Sequence, residues 1–382
     1  MKVAAIVCEY NPFHNGHKYQ IDRTKELCGA DAIVGIMSGN FVQRGDVAIF
    51  SKELRAKAAI AAGIDLVIEL PTVFAMQSAE FFAKNAVTIA DSTGIIETLS
   101  FGTECDKVDS IAKVAEFLCD EPAEFSEYIK TCLSRGMSFP SARADAVKKF
   151  IGKDYSDILS SPNNILGIEY CKALHNLKSS ITPFAIERTG CSHDSNIASD
   201  GFASATHIRS LLMTGQKDTA LSYIPIECAN IFKDAPIHST DNMEKAIIAE
   251  IIKMPLEMLA DVSDVSEGME NRIKAAALSS SSLEELFDEV KTKRYTHSRI
   301  RRIILSAYLG ITNKDRNLSP SYIKILDHNE KGQELIRQMK KTASLPIVRN
   351  TSQVNKLGNA EIKTLWERER VFDRIYEMFC NI

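Results

Sequence analysis

The stretch Val3-Ala4-Ala5-Ile6-Val7-Cys8-Glu9-Tyr10-Asn11-Pro12-Phe13-His14-Asn15-Gly16-His17-Lys18-Tyr19-Gln20 passes from a short apolar run, through a turn, to residues at helical spacing. Residues 3–8 read as a buried strand. Asn11-Pro12 makes a turn, and Gly16 removes a side chain where the backbone approaches something closely. The helix opening near His17 brings free amides and the positive end of its dipole, a site suited to phosphate at the carboxyl end of a strand. His14 and His17 bracket the glycine. They can donate hydrogen bonds to phosphate oxygens, more strongly as charge grows at a transferred phosphorus. A surface loop that merely holds two histidines fits less well, because the chain has only eight and two of them flank a glycine at a strand-to-helix turn. A metal site fits less well too, because no carboxylate–histidine spacing of metal-ligand type accompanies the pair.

Outward from this turn the pattern repeats. Residues 32–37, 65–70 and 98–101 read as further buried strands, and 17–27, 51–62 and 78–91 as the helices between them. Ser51 and Ser78 are candidate N-caps, with Gly63 and Gly94 as stops. Strand–helix–strand repetition predicts an α/β fold with a Rossmann-like parallel sheet. A strand at 181–187 follows a helical stretch, so the spacing predicts a sheet domain over 1–225 with a helical insertion at about 106–176. From 226 to 382 the pattern predicts an all-helical C-terminal domain, with helices at 243–253, 267–278, 282–290, 299–308 and 362–379.

Composition bounds the function. The chain has 382 residues, 45% hydrophobic and 25% charged, with a net charge of −4, so nucleic acid would be drawn to a local basic patch and not to the whole surface. The N-terminus runs straight into a strand without a leader's regions, and no apolar stretch is long enough to span a bilayer. Nine scattered cysteines without a Cys-x-x-Cys pair argue against a disulfide framework or a zinc ribbon. The expectation is a cytoplasmic protein with no membrane partner.

The pattern His14-x-Gly16-His17 after the first strand resembles the HxGH-type nucleotidyltransferase superfamily, which includes class I aminoacyl-tRNA synthetases and pantothenate synthetase. That resemblance implies a HUP-type ATP domain. The superfamily's second signature, a Ser/Thr turn with a basic residue opening a late helix, is matched by Ser204-Ala205-Thr206-His207-Ile208-Arg209. Ser204 can cap that helix, while the resemblance implies that Thr206 and Arg209 face the β- and γ-phosphates. Further segments resemble one bacterial family, the tRNA(Met) cytidine acetate ligases (TmcAL). They are Val7 to His17, Ser38-Gly39-Asn40-Phe41-Val42-Gln43-Arg44-Gly45, Ile68-Glu69-Leu70-Pro71, Phe101-Gly102-Thr103-Glu104, Ser161-Pro162-Asn163-Asn164-Ile165-Leu166-Gly167-Ile168-Glu169-Tyr170, and Arg188-Thr189-Gly190-Cys191-Ser192-His193-Asp194. The resemblance implies ATP-dependent activation of acetate, then acetylation of the wobble cytidine N4 of elongator tRNA(Met). It places ATP on residues Val7 to Gln20, Gly102, Asn163 and Arg188, with Ser204 beside them.

Each of these positions also has a local reading. Gly102 ends a strand, where bare backbone admits a ligand or simply makes a turn. Asn163 or Asn164 can bond ribose or phosphate, or cap a helix. Arg188 can stack on adenine, pair with phosphate, or pair with a nearby acid. The loop of Gln43, Arg44, Gly45 and Asp46 reads as a segment ordered by substrate or as a solvated turn, and Arg55 and Lys57 as surface. Ser192-His193-Asp194 is not a triad, since consecutive residues rarely converge in triad geometry.

Lys291, Lys293, Arg294, Arg299, Arg301 and Arg302 form a basic run without an intervening acid, extended by Lys314 and Arg316. Tyr295 and His297 lie within it and could stack on bases. Such a run is commonly a solvated helix face, but beside an ATP domain of this resemblance it predicts tRNA binding. The implied reaction is attack of acetate on the α-phosphorus of ATP to give acetyl-adenylate, then attack by the cytidine amine. His14, His17, Thr206 and Arg209 would stabilise phosphate charge, with Mg²⁺ bridging the phosphates. Two alternatives stay open: another HxGH nucleotidyltransferase acting on a small metabolite without RNA, and a non-catalytic nucleotide- or RNA-binding protein.

Overall fold

The computed structural model describes residues 1–104, 108–187, 201–266, 268–293 and 295–379. The first hundred residues form β1 (Val3–Cys8), α1 (Asn15–Cys28), β2 (Ala32–Ser38), the short strands β3 (Phe41–Val42) and β4 (Asp46–Val47), α2 (Lys52–Ala61), β5 (Leu66–Leu70), α3 (Thr72–Ala75), α4 (Ala79–Ser92) and β6 (Thr98–Thr103). The Ser51 hydroxyl caps α2 by accepting from the Leu54 amide, Ser78 stands at the N-cap of α4 without a side-chain cap bond, and Gly63 and Gly94 have φ of 108° and 66° just beyond α2 and α4. The helical insertion is α5 (Val108–Cys119), α6 (Ala123–Ser134), α7 (Phe139–Phe150), α8 (Lys153–Ile158) and α9 (Pro162–Leu177). It leads to β7 (Thr182–Glu187), α10 (Ala205–Met213) and α11 (Lys217–Leu221).

The remainder is helical, as the pattern predicts, apart from two strands. It comprises α12 (Ile226–Phe232), α13 (Glu244–Lys253), α14 (Leu256–Ala260), α15 (Met269–Ser279), α16 (Leu283–Val290), α17 (His297–Leu309), β8 (Ile323–His328), α18 (Glu330–Thr342), β9 (Ile347–Val348), α19 (Thr351–Leu357) and α20 (Ala360–Met378). Among the described residues, seven strands pair in the order β7-β6-β1-β2-β5-β8-β9, and β3 pairs with β4 in a separate hairpin. The strands β7, β6, β1, β2 and β5 are mutually parallel; β8 runs antiparallel to β5, and β9 parallel to β8. Ile323-Lys324-Ile325-Leu326-Asp327-His328 is neither a continuous apolar run nor a clear alternation, so its pairing with a strand some 250 positions earlier is a tertiary fact.

The sheet explains why its strands read as continuous apolar runs. Val3 and Ala5 point into one buried cluster with α4, α5, α9 and the C-terminal helices, whereas Ala4, Ile6 and Cys8 point into a second cluster with α1, α2, α10 and α12. Alternating side chains of β1 thus meet an apolar layer on both faces. The order reverses between β1 and β6: the chain leaves β1 toward β2 on one side and returns to β6 on the other. A crevice at the carboxyl ends of these two strands is where such sheets bind ligands. Among the described residues no helix is long and apolar enough to cross a membrane.

Candidate active site

The turn after β1 is built around its two imidazoles. His14 is the N-cap of α1, with extended backbone (φ −147°, ψ 173°), and its Nδ1 accepts from the Gly16 amide at 3.1 Å. His17 Nδ1 accepts from the His14 amide at 3.2 Å, closing a reciprocal capping box in which histidines stand where Ser and Glu are usual. With both Nδ1 atoms accepting, each neutral ring carries its proton on Nε2, so Nε2–H is the donor each can offer a ligand. The rings stack with centroids 3.7 Å apart, and Tyr10 (4.8 Å) and Phe13 (5.5 Å) pack against His17. Gly16 is required sterically, since a Cβ there would lie 2.9 Å from His14 Cε1.

The start of α1 is not the open set of amides that the sequence suggests. The Asn15 amide donates to Tyr223 O at 3.0 Å, the Gly16 amide to His14 Nδ1, and the amides of His17 and Lys18 to His14 O. The imidazole cap and a carbonyl from the segment after α11 have taken them. What α1 offers phosphate is therefore the field of its dipole and the imidazole donors.

Thr206 and Arg209 come to this turn from the far end of the chain. Ser204 Oγ caps α10 by accepting from the His207 amide at 3.1 Å. One turn on, Arg209 Nη1 donates to Asn11 O at 2.8 Å and Nη2 to Thr206 Oγ1 at 3.2 Å. Asn11 Oδ1 accepts from the Ile49 amide at 2.8 Å, the Asn11-Pro12 bond is cis, and Tyr10 holds a left-handed φ of 46°. Burial lowers the Arg209 pKa, with Asp46 and Glu9 opposing that effect and Arg44 and Arg301 adding to it. Burial raises the Glu9 carboxyl, opposed by the Gln43 amide it accepts at 2.7 Å and by Arg44, Arg55 and Arg209.

A small cleft joins His14, Gly16, His17, Tyr19 and Gln20 to Gly102 on β6 and to Ile186 and Glu187 on β7. Gly102 and Ile186 are register partners across those strands. Ile186 and Glu187 were not singled out by sequence, because only the pairing of β6 with β7 brings them here. Asn163 donates to Glu104 Oε1, the Asn164 amide donates to Glu104 Oε2 at 3.2 Å, and Asn164 Oδ1 accepts from the Glu104 amide at 3.0 Å. Glu104, directly after β6, thus clamps the start of α9 at the same rim. Lys18 pairs with Asp22 on the helix surface at 2.5 Å. Arg188 and the rest of the Arg188–Asp194 motif lie outside the described residues.

Arg55 corrects the surface reading. It is fully buried, donating from Nε to Phe50 O (3.0 Å), from Nη1 to Glu9 O (2.5 Å), and from Nη2 to Ser38 O (3.2 Å) and Gly39 O. One guanidinium thereby ties together the ends of β1 and β2 and the loop before α2. No local signal marks it, since an arginine on an amphipathic helix reads as solvated.

The basic run divides in three dimensions. Arg302 donates to Asp264 Oδ2 at 3.2 Å, and Arg299 pairs with the same carboxylate and donates to Ser266 Oγ at 2.7 Å. Lys291 donates to the carbonyls of Thr292 and Tyr295 at 2.9 and 2.6 Å. Tyr295 is 8% exposed, so its ring belongs to the core and does not present a stacking face. Lys293, His297 and Arg301 are exposed, and Arg301 lies over the Phe287 ring at 5.4 Å. Arg294 lies outside the described residues.

Comparison with known proteins adds three findings. The family model described as HIGH Nucleotidyl Transferase matches residues 1–381. Proteins named tRNA(Met) cytidine acetate ligase from Clostridium perfringens (strain SM101 / Type A) and Acetivibrio thermocellus are 38% and 39% identical; they align over 100% and 99% of this chain and 96% and 95% of their own lengths. The crystal structure of apo Thermotoga maritima TmcAL superimposes with a TM-score of 0.95 at 32% identity, covering 99% of this chain and 95% of that one. The structure of that protein with alpha-thio ATP superimposes with a TM-score of 0.92 at 33% identity and the same coverage.

Proposed function

The chain belongs to the HIGH nucleotidyl transferase family and, within it, to the tRNA(Met) cytidine acetate ligases, and from that premise we propose that it activates acetate with ATP and acetylates N4 of the wobble cytidine of elongator tRNA(Met) in the cytoplasm. The observation that carries the reading is the docking of Arg209 on the His14 turn, through Asn11 O at 2.8 Å and Thr206 Oγ1 at 3.2 Å. It gathers a guanidinium, a hydroxyl and two imidazole donors at the carboxyl end of β1, as transfer at a phosphorus requires.

In the first step an acetate oxygen attacks the α-phosphorus of ATP, and the bond to the bridging oxygen of pyrophosphate breaks. His14 and His17 donate through Nε2–H, and Arg209 and Thr206 hold the departing phosphates. Gly102 leaves bare backbone on the neighbouring strand for the nucleoside, with Asn163 at the same rim and Arg188 and Ser204 completing the ATP contacts. In the second step the cytidine amine attacks the acetyl carbon of acetyl-adenylate, AMP leaves with the electron pair, and the amine's proton passes to solvent. No covalent link to the protein is needed, and rate is gained by placement and field. The phosphate-facing donors are cationic or neutral, which suits phosphate oxygens better than a metal ion. Mg²⁺ therefore belongs on the ATP phosphates, where it would neutralise charge.

Residues 1–225 would carry the adenylation chemistry and residues 226–382 the tRNA contacts; of the basic run Lys291, Lys293, Arg294, Arg299, Arg301 and Arg302, the contacts fall to Lys293, Arg294 and Arg301, since Arg299 and Arg302 are paired with Asp264 and Lys291 is bound to backbone carbonyls. The test is mass spectrometry of nucleosides from unmodified tRNA(Met) incubated with the protein, ATP and acetate. N4-acetylcytidine is the expected product. Unmodified cytidine alongside release of pyrophosphate would favour a family member acting on another acceptor.

A further inference from the structure

The β3–β4 hairpin joins the nucleotide site to the basic helix. Its tip residue Gly45 has a φ of 75°, and a Cβ there would fall 2.3 Å from the Arg302 amide nitrogen and 2.5 Å from the Arg301 carbonyl carbon, so hairpin and α17 meet backbone against backbone. On one side the hairpin is tied to β1 by the Gln43 amide on Glu9 Oε1 at 2.7 Å. On the other, the Val47 amide donates to Thr240 Oγ1 at 3.1 Å, and Thr240 also bonds Asp46. Arg44 immediately precedes Gly45. Across the junction Arg299 and Arg302 are held by Asp264, whereas Arg301 is exposed with its guanidinium over Phe287. Arg44 and Arg301 both lie close enough to Arg209 to disfavour its charge.

Arg44, Arg209 and Arg301 thus gather at this edge of the cleft, with Glu9 and Asp46 among the acidic groups facing Arg209. Arg209 is turned inward onto Thr206 and Asn11. Arg301 instead stands on the outer surface of a helix that is not part of the nucleotide fold. An anion that engages both must reach from outside into the cleft, as a polymer's backbone phosphate does.

We propose that the hairpin tip and α17 together seat the RNA phosphate adjoining the acceptor cytidine, with Arg44 and Arg301 as positioning residues that bring its amine to the adenylate. This rests on the function proposed above. It differs from a general basic patch by naming a junction at the catalytic end, and it assigns a role to the close approach at Gly45.

The test uses the full chain and two assays: acetate-dependent ATP–pyrophosphate exchange without RNA, and acetyl transfer to unmodified tRNA(Met). In Arg44→Ala and Arg301→Ala, kcat/KM for tRNA should fall at least about tenfold more than exchange does, as loss of a phosphate contact implies. The slope of log KM for tRNA against log salt should become shallower by about one unit per arginine removed. Arg301→Lys should recover most of the transfer, because the seat reads charge. Gly45→Ala, which pushes the hairpin off α17 with both arginines present, should show the same split between assays. Equal losses in the two assays, or an unchanged salt slope, would overturn the proposal. Absence of transfer by the unaltered protein would instead overturn the function on which it rests.

Discussion

At the scale of single residues, the site sets two imidazoles held by backbone amides beside the guanidinium of Arg209. The Nδ1 atoms of His14 and His17 accept amides, which fixes the tautomer with the proton on Nε2. His14→Ala also removes an N-cap, worth about 1 kcal/mol of stability. The catalytic loss should be much larger, about 10²–10³-fold in acetate-dependent pyrophosphate release, by analogy with removal of a single transition-state donor. His17→Ala should lose a similar factor. Thermal denaturation beside the rate assay separates the two effects, and a rate loss no larger than the loss of folded protein would refute the assignment. Gly16→Ala belongs to the same experiment, since its Cβ would displace the His14 ring without removing any donor.

At the scale of elements, α20 is fastened to the carboxyl ends of β2 and β5 by buried charge. Lys52 Nζ bonds Glu69 at 2.6 Å and Asp373 at 2.5 Å, Lys324 on β8 bonds Glu69 from the other side, and the Asn40 amide group bonds Asp373 at 2.9 Å. Glu369 accepts from the amides of Thr72 and Val73 at the start of α3. Burial would raise Glu69, but Lys324 and Lys52 overcome it and hold the group at about 2. Glu369 is pushed up to about 7 by burial and by the Glu69 charge. The signs are opposite. Glu69 stabilises the fold above its ordinary value of 4.5, a contribution lost as pH falls from there toward 2. Glu369 keeps its proton in the folded state, so between 4.5 and about 7 stability declines as pH rises. Glu369→Gln should therefore flatten the dependence of Tm on pH between 4.5 and 7 and raise Tm above 7. An unchanged slope would show that Glu369 ionises in the fold as freely as in the unfolded chain.

At the scale of the whole molecule, the cleft sits where the strand order reverses, between β1 and β6, and the C-terminal region returns to the same sheet through β8 and β9. Truncation after Gly310 would expose the edge of β5 and leave Lys52 and Glu69 without Asp373 and Lys324. Breaking a buried ion pair costs about 3–5 kcal/mol, so the truncated chain should show no cooperative unfolding transition by circular dichroism. A cooperative transition would instead mark the first 310 residues as an independent unit. These consequences separate what is local in this protein from what is not. By itself the sequence determined β1, the helices that follow it, the parallel α/β class and the two segments His14–His17 and Ser204–Arg209, because apolar period, caps and turn residues act within a few positions of one another. Only the tertiary structure decided that Arg55 is a buried staple, that Asp264 takes Arg299 and Arg302 and leaves Arg301 exposed, that α1's first amides are engaged, and that residues 323–328 pair with β5. In each case the deciding partner is a carbonyl, a carboxylate or a strand edge that is distant along the chain, and no local pattern carries that information.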